Sequence, residues 1–202
     1  MEIGDWVLRE ACAQARRWRD AGNHAWQVAV NVSGVQFRDG SLVERVSRAI
    51  DAAGIAPRMI ELEFTEGALI EYSAVVSKAV KSLKELGVAT ALDDFGTGYS
   101  SLSYLRHFPI DTLKIDRVFV RDIASKGGHT PLVDAIIAMA KSLGLDTVAE
   151  GVETEEQWHY LKSRHADQVQ GFLFCRPLAL EDLERWHAEW LHSHQPQSAS
   201  VA

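Results

Sequence analysis

Residues 91–98 read Ala91-Leu92-Asp93-Asp94-Phe95-Gly96-Thr97-Gly98, an apolar strand that ends in two adjacent carboxylates and then turns on two glycines. Neighbouring anions repel, so each of these carboxylates makes the other harder to ionise. Divalent cations remove that cost because hard cations bind carboxylate oxygens. The pair therefore indicates a metal site at the end of a strand, although the same residue types also form ordinary solvated turns.

The segments around this strand alternate between predicted strands and predicted helices. The strands are expected at 25–30, 59–64, 88–92, 112–120, 147–149 and 169–174. The helices are expected at 5–21, 41–53, 72–86, 100–108, 131–143, 155–162 and 180–192. Alternation of this kind predicts a parallel sheet that is covered by helices. The small and polar residues 193–202 are expected to form a flexible tail.

Polar or charged residues stand near the carboxyl ends of most predicted strands. They are Asn31, Glu63, Asp93 with Asp94, Lys114 and Glu150. Such ends converge on one rim in a parallel barrel, whereas an open doubly wound sheet gathers them less completely. The pattern favours a barrel, with six strands found of the eight that closure requires. Gln170 falls early in its predicted strand and is the weakest member of the series.

The composition of the chain limits the classes of molecule that it can bind and the compartment in which we expect it. The net charge of −7 leaves no basic footprint for a nucleic-acid polymer, and an acidic chain that handles phosphate needs metal ions to screen repulsion. The two cysteines, Cys12 and Cys175, are far apart and are expected to be reduced thiols. No apolar run is long enough to span a bilayer, and no signal peptide is visible. We therefore expect a cytoplasmic protein without a membrane segment in this chain.

Seven local motifs follow one another along the chain. They are Asn31-Val32-Ser33, Glu63-Phe64-Thr65-Glu66, the run Asp-Asp-Phe-Gly-Thr-Gly-Tyr-Ser-Ser-Leu at 93–102, Leu113-Lys114-Ile115-Asp116, Ala149-Glu150-Gly151-Val152-Glu153-Thr154, Gln170-Gly171-Phe172 and Arg176-Pro177. In this order and spacing they resemble the motifs of the EAL domain family of bacterial cyclic-di-GMP phosphodiesterases. The resemblance covers residues 4–183. It implies a (β/α)8 TIM-like barrel that carries two Mg²⁺ or Mn²⁺ ions on its rim and acts in signal transduction by a bacterial second messenger.

The same resemblance assigns metal ligands. It implies that Asn31, Glu63 and Asp93 bind one ion. It further implies that Asp93 is shared with a second ion, which Asp94 and Glu150 also bind. Two such ions hold a phosphodiester, activate a water molecule and stabilise the leaving oxygen.

Further roles follow from the resemblance, each with a plainer alternative. Lys114 would position the attacking water or help to deprotonate it, or else be a buried ion-pair partner. Glu153 would orient groups at the second ion, or be an acid favoured by a helix dipole. Glu66 would hold the loop after Asp94, or be a solvated loop acid. Residues on the nucleotide side of the site would be Gln170, Phe172, Arg176 and Pro177, with Phe172 at least as well explained as a core aromatic.

One departure from the family pattern bears on activity. The Glu-Ala-Leu strand that names the family precedes the first helix of this chain, so we expect residues 1–192 to form an EAL domain without its first two strands. The missing glutamate is a metal ligand, so the expected hydrolysis of cyclic-di-GMP to linear pGpG should be impaired. The alternative is a catalytically silent module that binds cyclic-di-GMP or a protein. The open barrel edges predict a homodimer, a partner chain that covers them, or a fragment of a longer protein.

Overall fold

The computed structural model describes residues 2–37, 40–71, 73–96, 108–125 and 130–193. The strands are β1 (Val28–Asn31), β2 (Ile60–Thr65), β3 (Ala89–Phe95), β4 (Thr112–Ile115), β5 (Asp146–Glu150) and β6 (Gln168–Gln170). The α-helices are α1 (Glu2–Asp20), α2 (Leu42–Ala53), α3 (Glu66–Glu71), α4 (Ser73–Leu86), α5 (Arg117–Ser125), α6 (Pro131–Ser142), α7 (Glu155–Ser163) and α8 (Leu180–Ser193). Short 3₁₀ turns cover Gly34–Phe37 and Pro57–Met59. The helix predicted at 100–108 and the tail predicted at 193–202 fall almost wholly outside the described residues.

The strands form one parallel sheet in the order in which they occur along the chain, β1-β2-β3-β4-β5-β6. The sheet curls into a half-barrel with helices on its outer face, which confirms the predicted TIM-like architecture with six strands. In the described part of the chain, β1 and β6 each have one neighbouring strand and so form the two edges of the sheet.

Apolar side chains hold the helices against the outer face of the sheet. The central strands bury Leu62, Leu92 and Leu113, and α4 buries Val80 and Leu83 in the same core. A strand that is covered by helices loses most of its solvent contact, and this explains why these segments are nearly continuous in apolar residues.

Strand β3 is longer than the sequence predicts. The sequence predicts this strand over residues 88–92, but the strand runs from Ala89 to Phe95 and includes both Asp93 and Asp94. The register against β4 shifts between Leu92 and Phe95, and Asp94 adopts a φ of 54°. A bulge of this kind redirects side chains and is common beside functional sites.

Strand β6 and the segment after β4 also differ from the predictions. The strand predicted at 169–174 is Gln168–Gln170, so Gln170 ends its strand instead of beginning it. The chain then turns because the backbone nitrogen of Leu173 donates to the oxygen of Val152 at 3.0 Å. The segment 112–120 divides into β4 and α5, and a side-chain oxygen of Asp116 accepts a hydrogen bond from the nitrogen of Val118 at 2.7 Å at the start of the helix.

Helix α8 connects the two ends of the half-barrel. The indole nitrogen of Trp18 donates to Glu184 at 2.9 Å, and the rings of Trp26 and His187 meet edge to face at 4.5 Å. A cavity of about 510 Å³ lies between this helix and the inner face of the sheet. Across the described ranges, no helix combines the length and apolarity needed to cross a membrane.

Candidate metal centre

Three carboxylates converge on one ammonium group inside the half-barrel. The Nζ atom of Lys114 lies 2.9 Å from Glu63 Oε1, 3.1 Å from Asp93 Oδ1 and 2.8 Å from Glu150 Oε1. These residues come from the four adjacent strands β2, β3, β4 and β5. Because the strands are parallel, side chains near their carboxyl ends meet on one rim.

The electrostatics of this cluster are dominated by burial and by mutual contact. Burial alone would lower the pKa of Lys114, which is 6% exposed, but the hydrogen bonds that its ammonium donates to Glu150 and Glu63 raise that pKa above its ordinary value. Burial raises the pKa of Glu150 against the opposing hydrogen bond from Lys114. Three carboxylates around one ammonium leave an excess of negative charge, which favours additional cations at the same rim.

Asn31 and Asp94 border the cluster. Asn31 ends β1 in register with Glu63 on β2. The backbone nitrogen of Asp94 donates to Asp93 Oδ1 at 3.0 Å. Burial raises the pKa of the Asp94 carboxyl, and the charge of Asp93 and a hydrogen bond shared with Asp116 raise it further. Asp94 is therefore turned toward the end of β4, a contact that the sequence did not reveal.

Glu66 ties the end of β2 to the turn after β3. Its side chain is buried, and Oε2 accepts a hydrogen bond from the backbone nitrogen of Gly96 at 3.4 Å. Gly96 has a φ of 92°, and a Cβ atom there would lie 2.8 Å from the ring of Phe119. Only glycine meets both conditions without strain.

Glu153 follows β5 in a loop that the start of α7 holds in place. Gln157 Oε1 accepts hydrogen bonds from the backbone nitrogens of Glu153 at 2.7 Å and of Thr154 at 3.1 Å. The hydroxyl of Thr154 accepts in return from the nitrogen of Gln157, which completes a capping box. Gln157 was missed as a supporting residue, although the spacing Thr154-x-x-Gln157 is the signature of this cap.

The residues expected on the nucleotide side divide into two groups. Gln170 lines the interior cavity together with Glu63 and Lys114. Phe172 is 51% exposed and lies under the guanidinium of Arg176 at 4.7 Å, so the core-aromatic alternative for Phe172 is wrong. Pro177 is exposed beside Arg176.

The donor set fits hard divalent cations, because carboxylate and amide oxygens are their usual ligands. Among the residues that the structure describes, no three Asp, Glu, His or Cys side chains are arranged as they stand to ligate one ion. In this arrangement the ammonium of Lys114 lies among the carboxylates, at 2.8–3.1 Å from their oxygens. These contacts are longer than the roughly 2.0–2.1 Å of a Mg²⁺–oxygen bond, so ion binding requires the side chains to readjust.

The chain is similar to known proteins along most of its length. The sequence pattern of the EAL domain matches residues 1–177. The chain is 46% identical over 185 residues to the cyclic di-GMP phosphodiesterase NbdA of Pseudomonas aeruginosa, covering 92% of this chain and 24% of NbdA. It is 42% identical over 183 residues to the bifunctional diguanylate cyclase/cyclic di-GMP phosphodiesterase MucR of the same organism, covering 91% of this chain and 27% of MucR. The chain thus spans about a quarter of the length of these relatives.

Solved structures of EAL proteins have the same fold as this chain. The PaMucR phosphodiesterase in complex with c-di-GMP superposes with a TM-score of 0.86 at 42% identity, covering 90% of this chain and 74% of that one. The EAL domain of Mycobacterium smegmatis DcpA gives 0.87 at 40% identity, covering 93% and 85%. Since the family pattern matches residues 1–177 and the two superpositions cover 90% and 93% of the chain, the chain belongs to the EAL domain family.

Proposed function

We propose that this domain binds cyclic-di-GMP and hydrolyses it to linear pGpG with two bound Mg²⁺ or Mn²⁺ ions. The observation that carries the proposal is the convergence of Glu63, Asp93 and Glu150 on Lys114. EAL phosphodiesterases depend in general on divalent metal ions. The related PaMucR phosphodiesterase has been solved as a c-di-GMP complex.

The proposed ligands follow the rim. Asn31, Glu63 and Asp93 would hold one ion, and Asp93, Asp94 and Glu150 would hold the other. When bound, such ions neutralise the phosphodiester, activate water and stabilise the departing oxygen. The oxygen of water bonds to phosphorus, one ester bond breaks, and the departing oxygen takes a proton to give the linear dinucleotide.

Lys114 contributes a fixed positive charge in this scheme. Its contacts with Glu63 and Glu150 favour the protonated form, so we assign it to positioning the water or the phosphate oxygens rather than to accepting a proton. Glu66 and Glu153 support the site through the turn after β3 and the loop after β5. Gln170, Phe172, Arg176 and Pro177 would contact the nucleotide, with Phe172 and Arg176 supplying a stacked surface.

A binding module without turnover is the second candidate function. One observation favours it: Lys114 fills the centre of the carboxylates, where it neutralises part of their charge without an ion. A site that keeps this arrangement when cyclic-di-GMP binds would recognise the ligand without cleaving it.

We further propose that a second copy or another chain covers the edge strands β1 and β6, which each have one neighbour within the described residues. A folded monomer at micromolar concentration in sedimentation experiments would contradict this assembly. A cytoplasmic location is also proposed, and the free thiols of Cys12 and Cys175 support it.

Turnover of cyclic-di-GMP with Mn²⁺, followed by chromatography of pGpG, tests the proposed reaction. Asp93→Asn should abolish product formation. Asp146→Asn, which lies at the start of β5 and so at the opposite end of that strand from Glu150, should leave product formation unchanged. Equal activity of Asp93→Asn and the unaltered protein would contradict the site. Calorimetric binding of cyclic-di-GMP without any pGpG would establish the binding module instead.

A further inference from the structure

A groove of about 460 Å³ runs between α1 and α2 on the outside of the sheet. Its floor is formed by small or apolar side chains, among them Leu8, Cys12 and Ala49. Leu8 and Cys12 are buried, so the floor is firmly packed against the core. Small residues such as alanine let another element approach the backbone closely.

The rim of this groove is positively charged. Four arginines line it: Arg9, Arg16, Arg45 and Arg48. Arg45 is committed to the fold, since its Nε lies 3.0 Å from Asp5 Oδ1. The other three, which we call the arginine rim, are exposed.

The arginines of this rim make only weak ion pairs within the described part of the chain. Arg16 lies 3.7 Å from Asp20 and Arg48 lies 3.8 Å from Glu44, and both pairs are more than half exposed. Exposed pairs of this kind are held loosely. The side chain of Arg9 makes no hydrogen bond or ion pair with any other residue in the part of the chain that the structure describes. The rim is therefore a local positive patch on a chain whose net charge is −7.

We propose that this groove docks an amphipathic helix of a partner protein whose apolar ridge is flanked by acidic side chains. The acidic side chains of the partner helix would pair with the arginine rim, and its apolar ridge would pack against the apolar floor of the groove. The lining from Asp5 to Arg16 extends along about 16 Å of α1 at 1.5 Å per residue, which matches three turns of a docked helix. Trp6, which is 56% exposed on the same helix, offers an aromatic contact near one end.

The proposal does not depend on the reaction at the rim of the barrel. The groove lies between two outer helices, whereas the carboxylates around Lys114 face the interior. Binding at the groove and turnover of cyclic-di-GMP can therefore be measured and can fail separately.

The test uses two synthetic helical peptides of about 16 residues that share one Leu/Ala ridge and differ in having Glu or Lys on the flanks. Fluorescence anisotropy with the full chain in low salt should show at least roughly tenfold tighter binding of the Glu peptide, with the preference falling severalfold in 0.5 M NaCl because salt screens exposed charges. Arg9→Glu with Arg16→Glu should abolish the preference. Arg121→Glu with Arg185→Glu makes the same charge change on α5 and α8 and should keep it.

A steric variant separates a groove from a simple charge effect. Ala52 is exposed and lines the groove. The larger side chain of Ala52→Trp should block the groove and weaken binding of the Glu peptide at least roughly tenfold, without changing the net charge of the protein. Circular dichroism confirms that each variant is folded. The proposal is overturned if the two peptides bind equally, if neither binds, if Ala52→Trp binds as well as the unaltered chain, or if the arginine rim instead mediates sedimentation with vesicles of anionic phospholipid.

Discussion

The carboxylate of Glu150 accepts a hydrogen bond from the ammonium of Lys114 at 2.8 Å, across the boundary between β5 and β4. Glu63 makes a matching contact from β2 at 2.9 Å. One cation thus links strands on both sides of the sheet centre. The arrangement makes the rim both a candidate ion site and a point on which local stability depends.

Removing that cation should be costly. Lys114→Met leaves three carboxylates without their shared partner, and we expect the free energy of unfolding to fall by about 3 kcal/mol or more in metal-free buffer. Urea denaturation followed by circular dichroism measures the loss. Added Mn²⁺ should restore part of it, since a divalent ion neutralises the same oxygens.

Lys84→Met provides the matched control. Lys84 pairs with Asp111 at the same 2.8 Å, but its side chain is half exposed, so its removal should cost less than about 1 kcal/mol. Equal losses of the free energy of unfolding in the two variants would show that the buried Lys114 cluster stabilises the fold no more than an exposed ion pair does.

Gly171 controls the turn after β6. A Cβ atom at this position would lie 2.1 Å from the backbone oxygen of Val152, which cannot move without breaking its bond to Leu173. Gly171→Ala should therefore lower the free energy of unfolding by about 2 kcal/mol or more. Gly67, which has open space around its Cβ position and lies in α3, is the control, and Gly67→Ala should be neutral or stabilising by up to about 1 kcal/mol. Thermal denaturation that ranks the two variants in the reverse order would refute this account.

Gln157 should control the order of the loop that carries Glu153. Its side chain accepts from the nitrogen of Glu153 and donates from Nε2 to the oxygen of Val120 at 3.3 Å. Gln157→Ala removes these bonds and half of the capping box, so a loss of about 1–3 kcal/mol is expected. Hydrogen exchange by mass spectrometry should show faster exchange at 151–154.

Gln27→Ala serves as the comparison for that loop. Gln27 donates to the backbone oxygen of Arg58 at an exposed site, so exchange at 151–154 should not change. Unaltered exchange in Gln157→Ala would mean that the loop is held by other contacts.

The two thiols should differ in reactivity. Burial raises the pKa of Cys12 to about 11, and Cys12 is 1% exposed, whereas Cys175 is half-buried. The thiolate is the reactive form, and raising the pH to 9 still leaves Cys12 protonated because its pKa lies above that value. Iodoacetamide at pH 8–9 should label Cys175 in the native protein and both thiols in 8 M urea, as read by peptide mass spectrometry. Equal native labelling of Cys12 would contradict the burial of α1 against the core.

Local sequence patterns are sufficient to predict the parallel sheet and most of the candidate metal site. Apolar runs that end in polar residues predicted the parallel sheet and put Glu63, Asp93, Lys114 and Glu150 at one rim, because alternation of strands and helices leaves few topologies. The division of 112–120 into strand and helix was missed, since Lys114 and Asp116 are followed by apolar residues that suit either element. The position of Gln170 was also misjudged, because the turn after it depends on packing against Val152.

The sequence by itself determined the order of the elements, the end of the sheet at which the acidic residues collect, and the family to which the chain belongs. These follow from periodicity and from motifs that are local in the chain. The tertiary structure alone decided that Lys114 contacts three carboxylates at once, that Asp94 faces Asp116, and that arginines of α1 and α2 line one groove. Such relationships depend on strand register and helix packing, which bring together residues that are distant in sequence.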